Sequence, residues 1–173
     1  MNIVIVGCGR VGASLAADLD TRGHRVTIID LSTAAFERLP STFAGEAVRG
    51  DGTDEDTLRR AGAADAEVFL ALTEGDNRNV MAAQLATEAL GVRRVVAKIN
   101  DAVRAEAYAD LGLATICRTD LMAYSLLAYL GLSVGLAPGV REAAPHPHHD
   151  DPATLVLADT PVATVGARPA GEA

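Results

Sequence analysis

Aromatic side chains are nearly missing from this sequence, which has three phenylalanines, three tyrosines and no tryptophan. Its core must therefore be assembled from Val, Ile, Leu and Ala, within a hydrophobic content of 49%. Positive charge is also short: 15 basic residues face 23 acidic ones, and the formal net charge is −8. A basic face able to neutralise phosphates is thereby excluded, and with it nucleic acid as a partner. Lysine is almost absent, and Lys98 is its single instance. Two cysteines occur, Cys8 and Cys117, without metal-ligand spacing; such usage is expected of a reducing cytoplasmic compartment. No basic, cleavable leader opens the chain, so no signal peptide is expected. Long apolar runs are scarce too. Leu121 to Ala137 approaches the length of a membrane span, but Gly131, Ser133 and Gly135 interrupt it. It reads instead as a helix, Thr119 to Leu130, followed by a loop.

What is present alternates in a regular way. A length of 173 residues suits one full domain and a tail. Asn2 to Val6 is short, β-branched and ended by glycine, as a buried strand should be. Gly7 to Gly12 turns into a helix that runs to Arg22 and stops at Gly23. Further strands are expected at Arg25–Asp30, Glu46–Arg49, Val68–Thr73, Arg94–Ile99 and Ala114–Cys117. Between them lie helices at Ser32–Leu39, Thr53–Ala61, Asn77–Leu90 and Val103–Asp110. This alternation predicts an α/β fold of the Rossmann type: a doubly wound, parallel, six-stranded sheet of order 3-2-1-4-5-6. The domain is expected to span residues 1–131. Residues 132–173 hold six of the seven prolines and read as a mostly irregular, disordered tail. Within it, Thr154–Ala158 and Val162–Val165 could pair as a small hairpin.

The chemistry concentrates in Gly7-Cys8-Gly9-Arg10-Val11-Gly12. A glycine triplet at this spacing is a weak signal alone. Here a strand precedes it, a helix follows it, and Asp30 closes the next strand. Gly7 permits the tight turn, Gly9 admits a pyrophosphate to the backbone N–H groups, and Gly12 lets helix and sheet approach. The helix N-terminus then faces phosphate with its positive end. Asp30 can accept from ribose hydroxyls and would repel a 2′-phosphate, which favours NAD or an unmodified adenine nucleotide over NADP. Arg10 can reach a phosphate oxygen or pair with a nearby acid. Cys8 is expected to offer only its backbone N–H.

Other positions fall at the carboxyl edge of the sheet. Asp51 can accept from an adenine amino group or cap the helix that follows. Thr73 and Glu74 end the fourth strand, across the switch point from the first. Lys98 can meet phosphate or Glu74, or extend its amine to solvent. A catalytic set is missing. His24 lies at the opposite edge, the remaining histidines are in the tail, and no Tyr-x-x-x-Lys pair occurs. His146-Pro-His-His-Asp-Asp151 reads as a polar tail rather than a metal site.

Gly7–Gly12, Asp30, Gly50-Asp-Gly-Thr53, Ala71–Asn79 and Val96–Asp101 stand in an order that resembles the N-terminal nucleotide-binding domain of TrkA-type potassium uptake regulators, also called RCK or KTN domains. The resemblance runs from Met1 to about Leu130. It implies a cytoplasmic, non-enzymatic regulatory subunit at the inner face of the membrane. Such a subunit binds NAD(H) or ATP/ADP and gates a membrane potassium-translocating partner. It also implies phosphate contacts from Gly7 to Val11, ribose on Asp30, adenine near Asp51, and Thr73, Glu74 and Lys98 beside the ligand. Residues 132–173 are too short and proline-rich for the second domain that many relatives carry, so pairing with a fuller RCK subunit is one expectation. A small NAD-dependent oxidoreductase and a sensor acting on a soluble partner are the alternatives.

The last helix carries an assembly expectation. After Asp120 only Ser125 breaks its apolar run. A helix apolar on all sides needs cover on all sides. One face is expected on the sheet beside the sixth strand, and the other on a second copy, through Leu126 and Leu127.

Overall fold

The computed structural model describes residues 1–132 and 139–144. The expected hairpin and the histidine-containing run lie outside the described residues. Seven strands form one sheet, β1 (Asn2–Val6), β2 (Arg25–Asp30), β3 (Glu46–Arg49), β4 (Val68–Ala71), β5 (Val95–Ile99), β6 (Thr115–Cys117) and β7 (Val140–Arg141). Their spatial order is β3-β2-β1-β4-β5-β6-β7. The first six are parallel and reproduce the doubly wound order; β7 is antiparallel to β6.

The sheet therefore has seven strands rather than the six expected. The seventh comes from a stretch read as irregular tail, because a two-residue strand carries no periodicity to see. Its pairing depends on a distant clamp. Cys117 N–H donates to the Gly139 carbonyl at 2.6 Å, and Arg141 pairs with Asp120 at 2.8 Å. Gly139 has φ +63°, and a Cβ there would lie 2.7 Å from the Cys117 carbonyl, so glycine is needed for the approach.

Alternation along the buried strands splits the apolar residues between two faces. Val4, Val6, Ile29, Phe69, Ala71, Ala97, Ile99 and Cys117 pack under α2 (Glu55–Arg60), α3 (Asp76–Gln84) and α4 (Ala102–Asp110). Ile3, Ile5, Val26 and Ile28 pack under α1 (Arg10–Thr21) and the short 3-10 turn Thr33–Arg38. The segment expected as an α-helix from Ser32 is that 3-10 turn, ended before Pro40. The helix expected to Leu90 becomes a π-turn over Leu85–Ala89.

The helix α5 (Arg118–Tyr129) departs from expectation. None of its residues is buried, whereas one face was expected on the sheet. Leu126 is 56% exposed and Tyr129 89%. The helix is held at its base, where Thr119 Oγ1 donates to the Asn100 carbonyl and Asp120 meets Arg141. Among the described residues, no helix is long and apolar enough to cross a membrane.

Candidate functional site

The site grows from the turn between β1 and α1. Gly7 has φ +107°, and a Cβ there would meet the Leu72–Thr73 backbone at 2.9 Å. Its N–H donates to Ile29 at 2.7 Å, which ties the turn to β2. A Cβ on Gly12 would overlap the Gly7 carbonyl oxygen, so α1 lies against the strand end as only glycine allows. Gly9 differs from both. It caps α1 with extended backbone and no side-chain hydrogen bond, and a Cβ added there would find nothing within 4 Å. The first turn of α1 thus presents free N–H groups to open space, the cradle an anion requires.

Asp30 holds this loop in shape. Its Oδ2 accepts from Cys8 N–H at 2.8 Å and its Oδ1 from Ser32 N–H at 2.9 Å. A carboxylate retains further lone pairs after two such bonds. The Cys8 thiol is buried and donates to the Ala35 carbonyl at 3.3 Å. Burial, and then the Asp30 charge, push its pKa up, so the thiol stays protonated and poorly nucleophilic.

Asp51 lies across the cleft. Its Oδ1 accepts from Thr53 N–H at 2.9 Å and Oγ1 at 2.8 Å, which makes a local turn. The cap of α2 is Asp54, whose Oδ2 takes Thr57 N–H at 3.0 Å. Those Thr57 hydrogen bonds also lower the Asp54 pKa. The capping alternative for Asp51 is thereby assigned to its neighbour.

The loop after β4 is organised by Asn79, a fully buried side chain. Its Oδ1 accepts from Thr73 N–H at 2.8 Å and Thr73 Oγ1 at 2.6 Å. Its Nδ2 donates to the carbonyls of Thr73 at 3.0 Å and Lys98 at 2.7 Å, joining β4 to β5. Lys98 pairs in register with Ile116 and has buried neighbours Ala97 and Ile99 on the other face. It is itself 6% exposed. Desolvation lowers its pKa, while the Glu74 charge pulls it back up and Arg118 opposes that.

These elements enclose a cavity of about 440 Å³. Gly7, Cys8, Gly9, Arg10, Asp30, Asp51, Thr73 and Glu74 line it. Val11, Gly12 and Lys98 stand outside the lining; Val11 is exposed, Gly12 packs behind the loop, and Lys98 is buried beside it. Sequence reasoning passed over Arg38 and Arg78, which also line the cavity. A signal existed for both. Arg38 ends the turn after β2, and Arg78 sits in the first turn of α3, each at the carboxyl edge where this topology collects ligand contacts.

Sheet order, glycine turn and edge carboxylate are those of the Rossmann class of nucleotide-binding folds. A family model described as TrkA-N domain matches residues 3–119, and the chain belongs to this family. It is 47% identical over 142 residues to the Trk system potassium uptake protein TrkA of Streptomyces coelicolor, covering 82% of this chain and 63% of that protein. The chain thus spans less than two thirds of that relative. Among solved structures, the Kef CTD of Shewanella denitrificans in AMP-bound form is similar at TM-score 0.63 and 26% identity, over 77% of this chain and 84% of that one. The GsuK RCK domain is similar at TM-score 0.56 and 26% identity, over 75% of this chain and 29% of that one.

Proposed function

We propose that this chain is the nucleotide-sensing domain of a regulatory subunit of a potassium-uptake system. In this reading it binds NAD(H) or ATP/ADP in the cavity at the β1 edge. It acts at the cytoplasmic face of the membrane on a potassium-translocating partner, by change of shape rather than turnover. The observation that carries the reading is the space beside Gly9: backbone N–H groups, Arg10, Asp30 and Asp51 converge on a cavity that no side chain fills. Phosphate would lie on the N–H groups of the loop and the start of α1, ribose on Asp30, and the base toward Asp51. The names of the relatives supply the potassium-uptake context.

The non-enzymatic reading rests on the lining, in which no histidine, tyrosine or lysine stands beside the carboxylates of Asp30, Asp51 and Glu74 and the cysteine is held as thiol. The nucleotide unit comprises residues 1–131, with β7 added to its edge from beyond that boundary. A second copy covers α5, which has Met122, Leu126, Leu127 and Tyr129 exposed, and Leu130 just beyond it. This gives a homodimer or larger assembly, in which a fuller RCK subunit can take part. Calorimetric titration with NAD, NADH, ATP and ADP tests the nucleotide reading. Binding that weakens roughly tenfold or more in Asp30→Ala supports it, and no binding by any of the four refutes it.

A further inference from the structure

Helix α5 is fastened to the domain at its base. None of its residues is buried, so a tilt about its first turn gives up little packing. Among the described residues, its side chains bond to the remainder of the domain at two points. Asp120 accepts from Arg141 at 2.8 Å, and that contact leads to β7. Thr119 Oγ1 donates to the Asn100 carbonyl at 2.7 Å, and that contact leads to the end of β5. The thiol of Cys117, the residue before the helix, donates to the same carbonyl at 3.7 Å.

Asn100 also reaches the loop after β4. Its backbone N–H donates to Asp76 Oδ1 at 3.0 Å, and its Nδ2 donates to the same oxygen at 2.7 Å. Nδ2 donates further to the Glu74 carbonyl at 3.3 Å. Asp76 is steadied from beyond by Arg104 at 3.6 Å. Thr73 and Glu74 line the nucleotide cavity, whereas Asn100 and Thr119 do not. One residue outside the cavity thus bonds the cavity's β4 loop through its side-chain amide and the base of α5 through its carbonyl.

The Asn100 amide supplies a second observation. Both groups that meet Nδ2 are acceptors, so the opposite orientation would set oxygen against oxygen. The orientation that makes the bridge leaves Oδ1 buried with no partner among the described residues. A buried acceptor without a donor is unfavourable to folding. An apolar side chain would avoid that penalty but could not bridge Asp76 and Glu74. A polar group kept under these conditions points to a role other than packing.

We propose that Asn100 is a positioning residue that carries the state of the nucleotide cavity to the base of α5. This rests on the nucleotide reading above and adds the route by which an occupied cavity alters a distant element. A ligand that shifts the loop at Thr73 and Glu74 moves the partners of Nδ2, and the Asn100 carbonyl passes the shift to Thr119. The uncovered α5 is the element with room to respond. Such coupling is reciprocal, so whatever covers α5 changes nucleotide affinity by the same factor.

The test is hydrogen–deuterium exchange of the full chain over residues 122–129, with and without saturating ADP or NADH. It is repeated on three variants. Asn100→Ala and Thr119→Val cut the link at either end, while Asp120→Asn loosens the other anchor and leaves the link in place. Calorimetric affinity for ADP and NADH should stay within about twofold of wild type in all three, since none of these residues lines the cavity. Ligand should change wild-type exchange in α5 by about fivefold or more. The change should disappear in Asn100→Ala and Thr119→Val and persist in Asp120→Asn. A merely structural Asn100 would loosen α5 equally with and without ligand and keep the ligand-dependent difference, as Asp120→Asn does. Wild-type exchange indifferent to a ligand that binds would overturn the inference and leave the nucleotide reading intact. So would a ligand-dependent change retained in Asn100→Ala or in Thr119→Val; if one of these fails to fold, the other decides. No binding by either ligand would remove both.

Discussion

Two substitutions in one loop separate folding from binding. Gly12→Ala would place a methyl group on the Gly7 carbonyl oxygen, with the Gly7 carbonyl carbon at 3.1 Å and the Ile5 side chain at 3.7 Å behind it. The carbonyl has little room to yield, because Gly7 is bonded to Ile29 and pressed against the Leu72–Thr73 backbone. Overpacking of this kind costs about 1–3 kcal/mol. For a domain of this size that lowers the melting temperature by roughly 3–10 °C. Gly9→Ala has the opposite profile. Its backbone, φ −76° and ψ −172°, is open to any residue, and the new methyl meets nothing within 4 Å. Losing glycine at a helix N-cap costs at most about 1 kcal/mol, and the smaller entropy of the unfolded chain returns about 0.4–1 kcal/mol. Stability should therefore stay within about 0.5 kcal/mol of wild type. The methyl would stand where a phosphate approaches the N–H groups, so nucleotide affinity should fall at least tenfold. Thermal unfolding followed by circular dichroism, with an ADP titration on the same samples, reads both effects. A Gly9→Ala variant that binds like wild type, or a Gly12→Ala variant that melts like it, would refute the division of roles.

Asp30→Ala should weaken nucleotide binding roughly tenfold or more, through lost hydrogen bonds to ribose and a loosened Cys8–Ser32 loop; unchanged affinity in titration removes the ribose assignment. Replacing Leu126 and Leu127 together by Asp should shift the protein toward monomer or aggregate in light scattering, whereas the same change at Arg59 and Arg60 should not. A wild-type monomer at micromolar concentration with α5 intact contradicts the assembly. Lys98 has a folded pKa below its unfolded one, so its charge opposes folding at neutral pH, and that penalty is relieved as pH rises through the folded pKa toward 10.5. Lys98→Met should accordingly melt higher than wild type at pH 7, with the difference shrinking toward pH 10.5; a difference independent of pH argues against a charged, desolvated amine. With simple alcohols or hydroxy acids, NADH formation should not exceed background, and turnover abolished by Gly9→Ala would establish an enzyme instead.

The parallel sheet was legible because its strands are buried on both faces. Runs such as Ile3-Val-Ile-Val6 and Val26-Thr-Ile-Ile29, each ended by glycine or an acid, admit few other readings. The positions of the glycine turn and Asp30 were legible for a similar reason, since they follow from backbone geometry at fixed spacing. What sequence reasoning missed depends on non-local partners. The β7 strand exists through the contacts of Gly139 and Arg141 with β6 and α5. Asn79 looks like a surface residue of a helix start, yet it is buried because it bonds both Thr73 and the Lys98 carbonyl. Asp51 was read as a possible cap because the helix was expected from Thr53, but α2 begins at Glu55 and its cap is Asp54. For α5, hydrophobicity gave the helix but not its cover. Arg38 carried no motif, and Arg78, though inside the Ala71–Asn79 stretch, was assigned no role; both reach the cavity through the positions of the turn after β2 and the start of α3.

The central claim is that nucleotide enters at the carboxyl edge of β1. Backbone amide NMR shifts recorded during an ADP titration test it most directly. The largest changes should fall on Gly9, Arg10, Asp30, Asp51 and Arg78, with Gly23 and His24 at the opposite edge unmoved. Changes centred on Gly23 and His24, or spread evenly over the sheet, would contradict the account.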